Sequence, residues 1–255
     1  MTPAVRKAML PHNLPRIFDR ALIARRIARR RGDNFVLDLA LQDLQERLAT
    51  VARSFAHAAI VGPDASLLPA RGNSGKGSFP YERFSTLAGD AALDAEQLTL
   101  PARDYDLIVS VLDLQVVDDV PGFLSRARAH LAPDGLFLAV TLGGATLSEL
   151  RQAFLAADAE LSGGAYARVA PFLDVRDAGG LLQRAGFALP VVDVESHVVR
   201  YGSPLALVAE LRALGASNPL IDRPSRPATR ALLAAASAAY EQISADTDGR
   251  VRATL

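Results

Sequence analysis

The chain has no cysteine among its 255 residues. That excludes disulfides, thiolate metal sites and cysteine nucleophiles, and is compatible with a reducing compartment. It also has no net charge, because 28 basic and 28 acidic residues cancel, so no global field draws it onto nucleic acid or a membrane surface. No window approaches the roughly 18 consecutive apolar residues of a spanning helix. The opening stretch from Met1 to Phe35 carries arginines but not the apolar core of a secretory signal. A cytoplasmic protein with no membrane span and no nucleic-acid partner is expected. Histidine is scarce: His12, His57, His130 and His197 show no metal-ligand spacing, and no metal is expected. What is abundant is apolar residues, half of the chain, enough for a single α/β domain with additions.

The organising stretch runs from Asp106 to Arg151. Leu107 to Leu112 and Leu136 to Leu142 are short apolar runs without helical period, as in strands buried on both faces. About one helix lies between them. Pro133-Asp134-Gly135 reads as the turn into the second strand, with the positive φ expected at Gly135. In an open α/β sheet ligands sit outside the carboxyl ends of the strands, here Leu112 to Gln115 and Thr141 to Gly144. Thr146 and Glu149 have the spacing of a capping box for a helix over 147–157.

Before this unit, residues 16–31 carry seven arginines with apolar residues between them. This reads as a helix with solvated arginines, or as a lid or partner-docking arm. Leu37, Leu41, Leu44, Leu48, Val51 and Phe55 then mark one buried helical face. The Gly/Ser/Pro-rich residues 69–84 read as a flexible loop; GNSGKGS fails the phosphate-loop spacing, since Ala70 stands where the first glycine belongs and Gly77 follows Lys76. Beyond Arg151, helices are expected at 178–185, 205–214 and 228–243, ended or started by Gly186, Gly215 and Pro227, and an alternating strand at 191–199.

Residues 94–119 (DAEQLTLPARDYDLIVSVLDLQVVDD) and 131–154 (LAPDGLFLAVTLGGATLSELRQAF) resemble the second half of a class I S-adenosylmethionine (SAM)-dependent methyltransferase domain. IFDRALIARR (17–26), the GG…PF stretch (163–172), LLQRAGF (181–187) and DGRVRAT (248–254) extend the resemblance, which is to proteins similar to the mitochondrial complex I assembly factor of this fold and, more distantly, to malonyl-carrier-protein methyltransferases of biotin synthesis. The resemblance implies a Rossmann-like α/β fold: a mainly parallel sheet with helices on both faces, N-terminal helices over 1–55 and a methyltransferase-like domain over 56–255 with a C-terminal helical cap. Similar proteins continue into one more strand beyond Leu255, so an edge strand is expected to be missing or the chain shortened.

The implied cofactor is SAM, and the implied contacts are Gly62, Asp64, Asp94, Ala95, Leu112 and Gln115. Such methyltransferases show an acid followed by G-x-G-x-G after the first strand; this chain has Ile60-Val61-Gly62-Pro63-Asp64-Ala65-Ser66. Only Gly62 survives. Asp64 and Ser66 add side chains where backbone should meet ligand, and Pro63 lacks an N–H. Asp94 fits a carboxylate beside the adenine amine, or equally a helix N-cap. The position after Gln115 is Val116, where relatives tend to carry an aromatic ring. Asp90 is the candidate for the ribose hydroxyls. Only about 30 residues separate Gly62 from Asp94, too few for helix, strand, helix and strand at ordinary lengths, so one βα unit is expected to be shortened. Arg151 is read as contacting a substrate carboxylate or pairing locally.

Three functions stay open: a SAM-dependent methyltransferase of the assembly-factor type, a non-catalytic partner-binding or assembly protein of the same fold, and the protein arginine hydroxylase that the resemblance implies. No catalytic residue is assigned. Methyl transfer needs little from a protein beyond alignment, because the cofactor carries the reactive chemistry.

Overall fold

A computed structural model describes residues 16–255. In chain order these form α1 (Arg20–Ile27), α2 (Phe35–Thr50), β1 (Ala58–Gly62), a 3-10 turn (Ala65–Leu67), β2 (Arg71–Ser74), β3 (Gly77–Ser85), β4 (Tyr105–Val111), α3 (Val120–His130), β5 (Leu131–Val140), α4 (Ser148–Ser162), α5 (Val175–Arg184), β6 (Val198–Tyr201), α6 (Pro204–Ala213), α7 (Arg230–Ser244) and β7 (Val251–Thr254). The main sheet has the order β2-β3-β1-β4-β5, and β6 pairs with β7 in a separate ribbon. The pairs β3–β1, β1–β4 and β4–β5 are parallel, and only β2–β3 is antiparallel. This is the mainly parallel α/β sheet that the apolar runs predict.

The side-chain period of a strand explains the layers. In β1, Ala58 and Ile60 face α2 while Ala59 and Val61 face α3 and α5. In β4, Leu107, Val109 and Val111 join the α2 side, and Tyr105 and Ile108 the other. The α2 positions Leu37, Ala40, Leu44 and Leu48, spaced three or four apart, are all buried. Each such leucine contributes about 1.5–3 kcal/mol relative to exposure, so this face holds the helix against the sheet.

Several expectations are corrected. Residues 69–84 are not a flexible loop: they form the β2–β3 hairpin, closed by Gly75 and Lys76, and β3 pairs with β1 from Ala58↔Tyr81 to Gly62↔Ser85. Gly72 is a packing requirement, since a Cβ there would lie 2.6 Å from the Phe79 ring. The shortened unit follows from this hairpin: it and one 3-10 turn replace the helix that would join β1 to its parallel neighbour. Pro133-Asp134-Gly135 is not a turn ahead of the strand but lies within β5, where the pairing with β4 shifts register, and the positive φ falls on Asp134, at 65°. Gly135 is needed for close approach, because a Cβ there would lie 2.9 Å from the Tyr105 carbonyl. The capping box is absent. Leu147 takes the N-cap position of α4 with φ 53° and no side-chain cap bond, and Glu149 instead accepts from the Thr254 hydroxyl and N–H on β7. The strand expected over 191–199 is regular only at β6; Leu189 and Val191 stand 93% and 87% exposed, and Asp193 and Glu195 are tied to Arg47 of α2. Gly186 and Gly215 do end α5 and α6 with positive φ, and Thr229 caps α7.

Candidate functional site

The carboxyl ends of β1, β4 and β5 open on one cavity of about 500 Å³, within the range typical of small-molecule and cofactor sites. Its floor includes Pro63, Asp64, Leu112, Gln115 and Leu142 from the loops after these strands; Ile23, Arg26 and Ile27 of α1, with Arg30 just beyond it, close it from above. The sequence reading of solvated arginines holds for Arg16, Arg25, Arg29 and Arg31, which are exposed, but not for Arg20, Arg26 and Arg30. Arg20 donates to the carbonyls of Val116 (2.9 Å) and Thr86 (3.1 Å). Arg26 donates to the carbonyls of Ser217 and Asn218, and Asp118 accepts from the N–H groups of Ile17 and Phe18. Phe18 and Ile23 pack with Leu87, Ala170 and Leu220. So α1 is a lid fastened to both the sheet edge and residues 217–223.

The turn after β1 is closed on itself. Gly62 is required by space: a Cβ would meet Leu68 Cδ2 at 3.1 Å and the Val111 carbonyl at 3.2 Å. Asp64 Oδ1 accepts from the N–H and hydroxyl of Ser66, and Asp64 Oδ2 pairs with Arg30 at 2.7 Å. Burial pushes the Asp64 carboxyl up, but the Ser66 hydrogen bonds and the Arg30 guanidinium outweigh it and hold it below its ordinary range. Ala65 N–H goes to Ser85 Oγ, and those of Leu67 and Leu68 go to Asp64 and Ala65 carbonyls. No N–H from Ala65 to Leu68 is left for a ligand, and a three-residue 3-10 turn offers no helix N-terminus behind it.

The sequence candidates divide into two groups. Asp64, Leu112 and Gln115 line the cavity, and Gly62 ends the strand beneath it. Asp94 and Ala95 do not line it. Asp94 accepts from the N–H of Glu96, and its carbonyl from those of Gln97 and Leu98, while Ala95 is fully buried. Gln115 Oε1 lies 3.0 Å from the Thr141 hydroxyl, and Arg151 donates to the Ala170 carbonyl. His57 sits against Tyr105, Glu82 and Asp104, His130 between Ala102 and Leu100, and His197 near Glu195; His12 lies outside the described residues. Among the described residues no helix is long and apolar enough to cross a membrane.

Sequence reasoning missed the wall built by Arg168 to Phe172, α6 and residues 215–228, because nothing local marks a segment that meets the sheet only through tertiary packing. It also missed Asp113. This fully buried carboxyl accepts from the Thr86 hydroxyl, so the ends of β3 and β4 meet above β1. Complete burial raises its pKa to about 7, against the Thr86 hydrogen bond and the Arg20 charge.

A parallel sheet with its cavity at the β1/β4 carboxyl edge defines a nucleotide- or cofactor-binding class of α/β protein. Residues 32–190 match the family model described as a methyltransferase domain, and the chain belongs to that family. Among known proteins it is similar to arginine-hydroxylase NDUFAF5, mitochondrial, of Rattus norvegicus (38% identity over 161 residues, 63% of this chain and 47% of that protein) and of Homo sapiens (38%, 63% and 46%). It is likewise similar to the malonyl-[acyl-carrier protein] O-methyltransferase of Halorhodospira halophila (38% identity over 161 residues, 63% and 52%). The chain spans about half the length of the curated relatives it matches. The family implies SAM as cofactor, which when bound supplies the transferable methyl group. The cavity fits it in place and size; the closed turn does not fit in its donors.

Proposed function

We propose that the chain is a SAM-dependent methyltransferase-like protein of the complex I assembly factor type, which holds its cofactor more weakly than an intact glycine turn would. The observation that carries this reading is that every N–H from Ala65 to Leu68 is already taken within the protein, beneath an otherwise well-formed cleft. Gly62, Asp64, Leu112 and Gln115 are the proposed cofactor set; Asp94 and Ala95, which do not line the cavity, stand outside it. Contacts that relatives make with turn N–H groups are replaced here by Asp64 and Ser66, and each lost contact worth about 1.4 kcal/mol weakens binding tenfold. A protein substrate or partner is part of the proposal.

Titration of SAM and S-adenosylhomocysteine into the wild type and into Asp64→Gly/Ser66→Gly tests it. Weak wild-type binding that tightens about tenfold in the glycine variant supports the reading. Tight wild-type binding abolished by Asp94→Ala would overturn it in favour of an ordinary cofactor site. A second reading, a partner-binding protein without catalysis, is favoured by the exposed apolar residues Leu189, Val191, Val194 and Val198, since such surfaces mark interaction sites. No binding of either cofactor form at millimolar concentration would favour it.

A further inference from the structure

The charges around the cavity do not balance. Arg26, Arg30, Arg168, Arg223 and Arg226 line it, against the single acidic side chain of Asp64. Three of the five are answered: Arg30 by Asp64, Arg168 by Asp158 and Arg223 by Asp19. Arg26, partly buried, and Arg226, exposed to solvent, have no carboxylate within ion-pair distance among the described residues. Arg26 spends Nη1 on the carbonyls of Ser217 and Asn218, both at 2.8 Å. It is partly buried and faces Arg25 and Arg223 as well as Asp19, and burial first, then the Arg223 charge, lowers its pKa. Removing a guanidinium from water without a counter-charge is unfavourable, and here it borders a wall built largely from leucine and phenylalanine side chains, among them Leu112, Leu150 and Phe154.

Apolar walls with two unanswered guanidinium groups are the complement of an amphipathic anion. We propose that this cavity is a binding site for a single-chain carboxylate, with Arg26 and Arg226 receiving the carboxylate and the apolar wall the chain. A guanidinium fork matches a carboxylate in geometry as well as charge. The same surplus of positive charge opposes a quaternary ammonium on a chain of the same length, so the site discriminates by charge among ligands of similar size. This inference uses the cavity but not methyl transfer, and it stands whether or not SAM binds.

Isothermal titration of the full chain with decanoate, decanol and decyltrimethylammonium, with no cofactor present, tests it. Decanoate is expected to bind at least tenfold more tightly than decanol, and the ammonium compound more weakly than either. Arg26→Gln and Arg226→Gln are each expected to weaken decanoate about tenfold and leave decanol unchanged, with Arg26→Lys recovering part of the loss. Arg226 makes no hydrogen bond within the described protein, so its variant carries the test if Arg26→Gln fails to fold. Equal binding of the three probes, or decanoate affinity unchanged in the Arg226 variant, would overturn the proposal. Loss of SAM binding with decanoate binding intact would refute the cofactor reading alone.

Discussion

Asp113→Asn isolates one buried carboxyl whose effect on stability should depend on pH in a calculable way. The group is fully buried, its Oδ1 accepts from Thr86, and its Oδ2 has no partner. Its pKa rises from 3.8 to about 7 on folding. Below 3.8 both states hold the proton and the group is neutral to stability. Between these values the native state binds more protons than the unfolded state, so unfolding free energy falls as pH rises, and levels off above the folded value. At 1.36 kcal/mol per pH unit, the loss across this window is of order 4 kcal/mol. The asparagine amide keeps the acceptor for Thr86 but places an unpaired donor where Oδ2 lies, at a cost of about 1–3 kcal/mol at every pH. The variant should therefore be less stable than wild type near pH 4 and more stable near pH 8. Urea unfolding midpoints across that range measure the difference directly. Curves for the two proteins that run parallel from pH 4 to 8 would show that Asp113 ionises freely in the native state, and would sink the argument.

Three further substitutions probe packing. Asp158 is fully buried and accepts two hydrogen bonds from Arg168, each 2.7 Å, so Asp158→Ala strands a guanidinium between Phe154 and Tyr166; chemical unfolding should show a loss of about 3–5 kcal/mol. Gly62→Ala should cost about 1–3 kcal/mol by overpacking against Leu68 and the Val111 carbonyl, whereas Gly179→Ala, within α5 and with nothing inside 4 Å of the new Cβ, should stabilise by about 0.5–1 kcal/mol; thermal unfolding of the pair reads both signs.

The sequence by itself determined the parts of this protein that depend on local period and composition. The β4–α3–β5 unit was legible because apolar runs and an amphipathic helix announce burial on two faces and on one. The α2 face was legible because Leu37, Leu44 and Leu48 repeat at helical spacing. Gly186 and Gly215 announced helix ends because only a residue without Cβ takes positive φ cheaply. The loss at Asp64 and Ser66 was visible too, since the residues that replace glycine can be read directly.

Tertiary structure alone decided the rest. Residues 69–84 read as a loop, with Gly77 and Pro80 among them, and the part from Gly77 became a strand because β1 supplied a parallel partner. That Asp64 is ion-paired could not be read locally, because its partner, Arg30, is distant in sequence. Glu149 had the spacing of a cap, yet Thr254 at the far end of the chain outcompetes the helix start. Arg20 and Arg26 of α1 looked solvated because a charge run carries no record of which carbonyls lie above it, and only the folded chain brings Val116, Ser217 and Asn218 within reach. Local sequence sets what an element can be; which buried polar group meets which is settled by non-local contacts, because each must be satisfied once water is excluded.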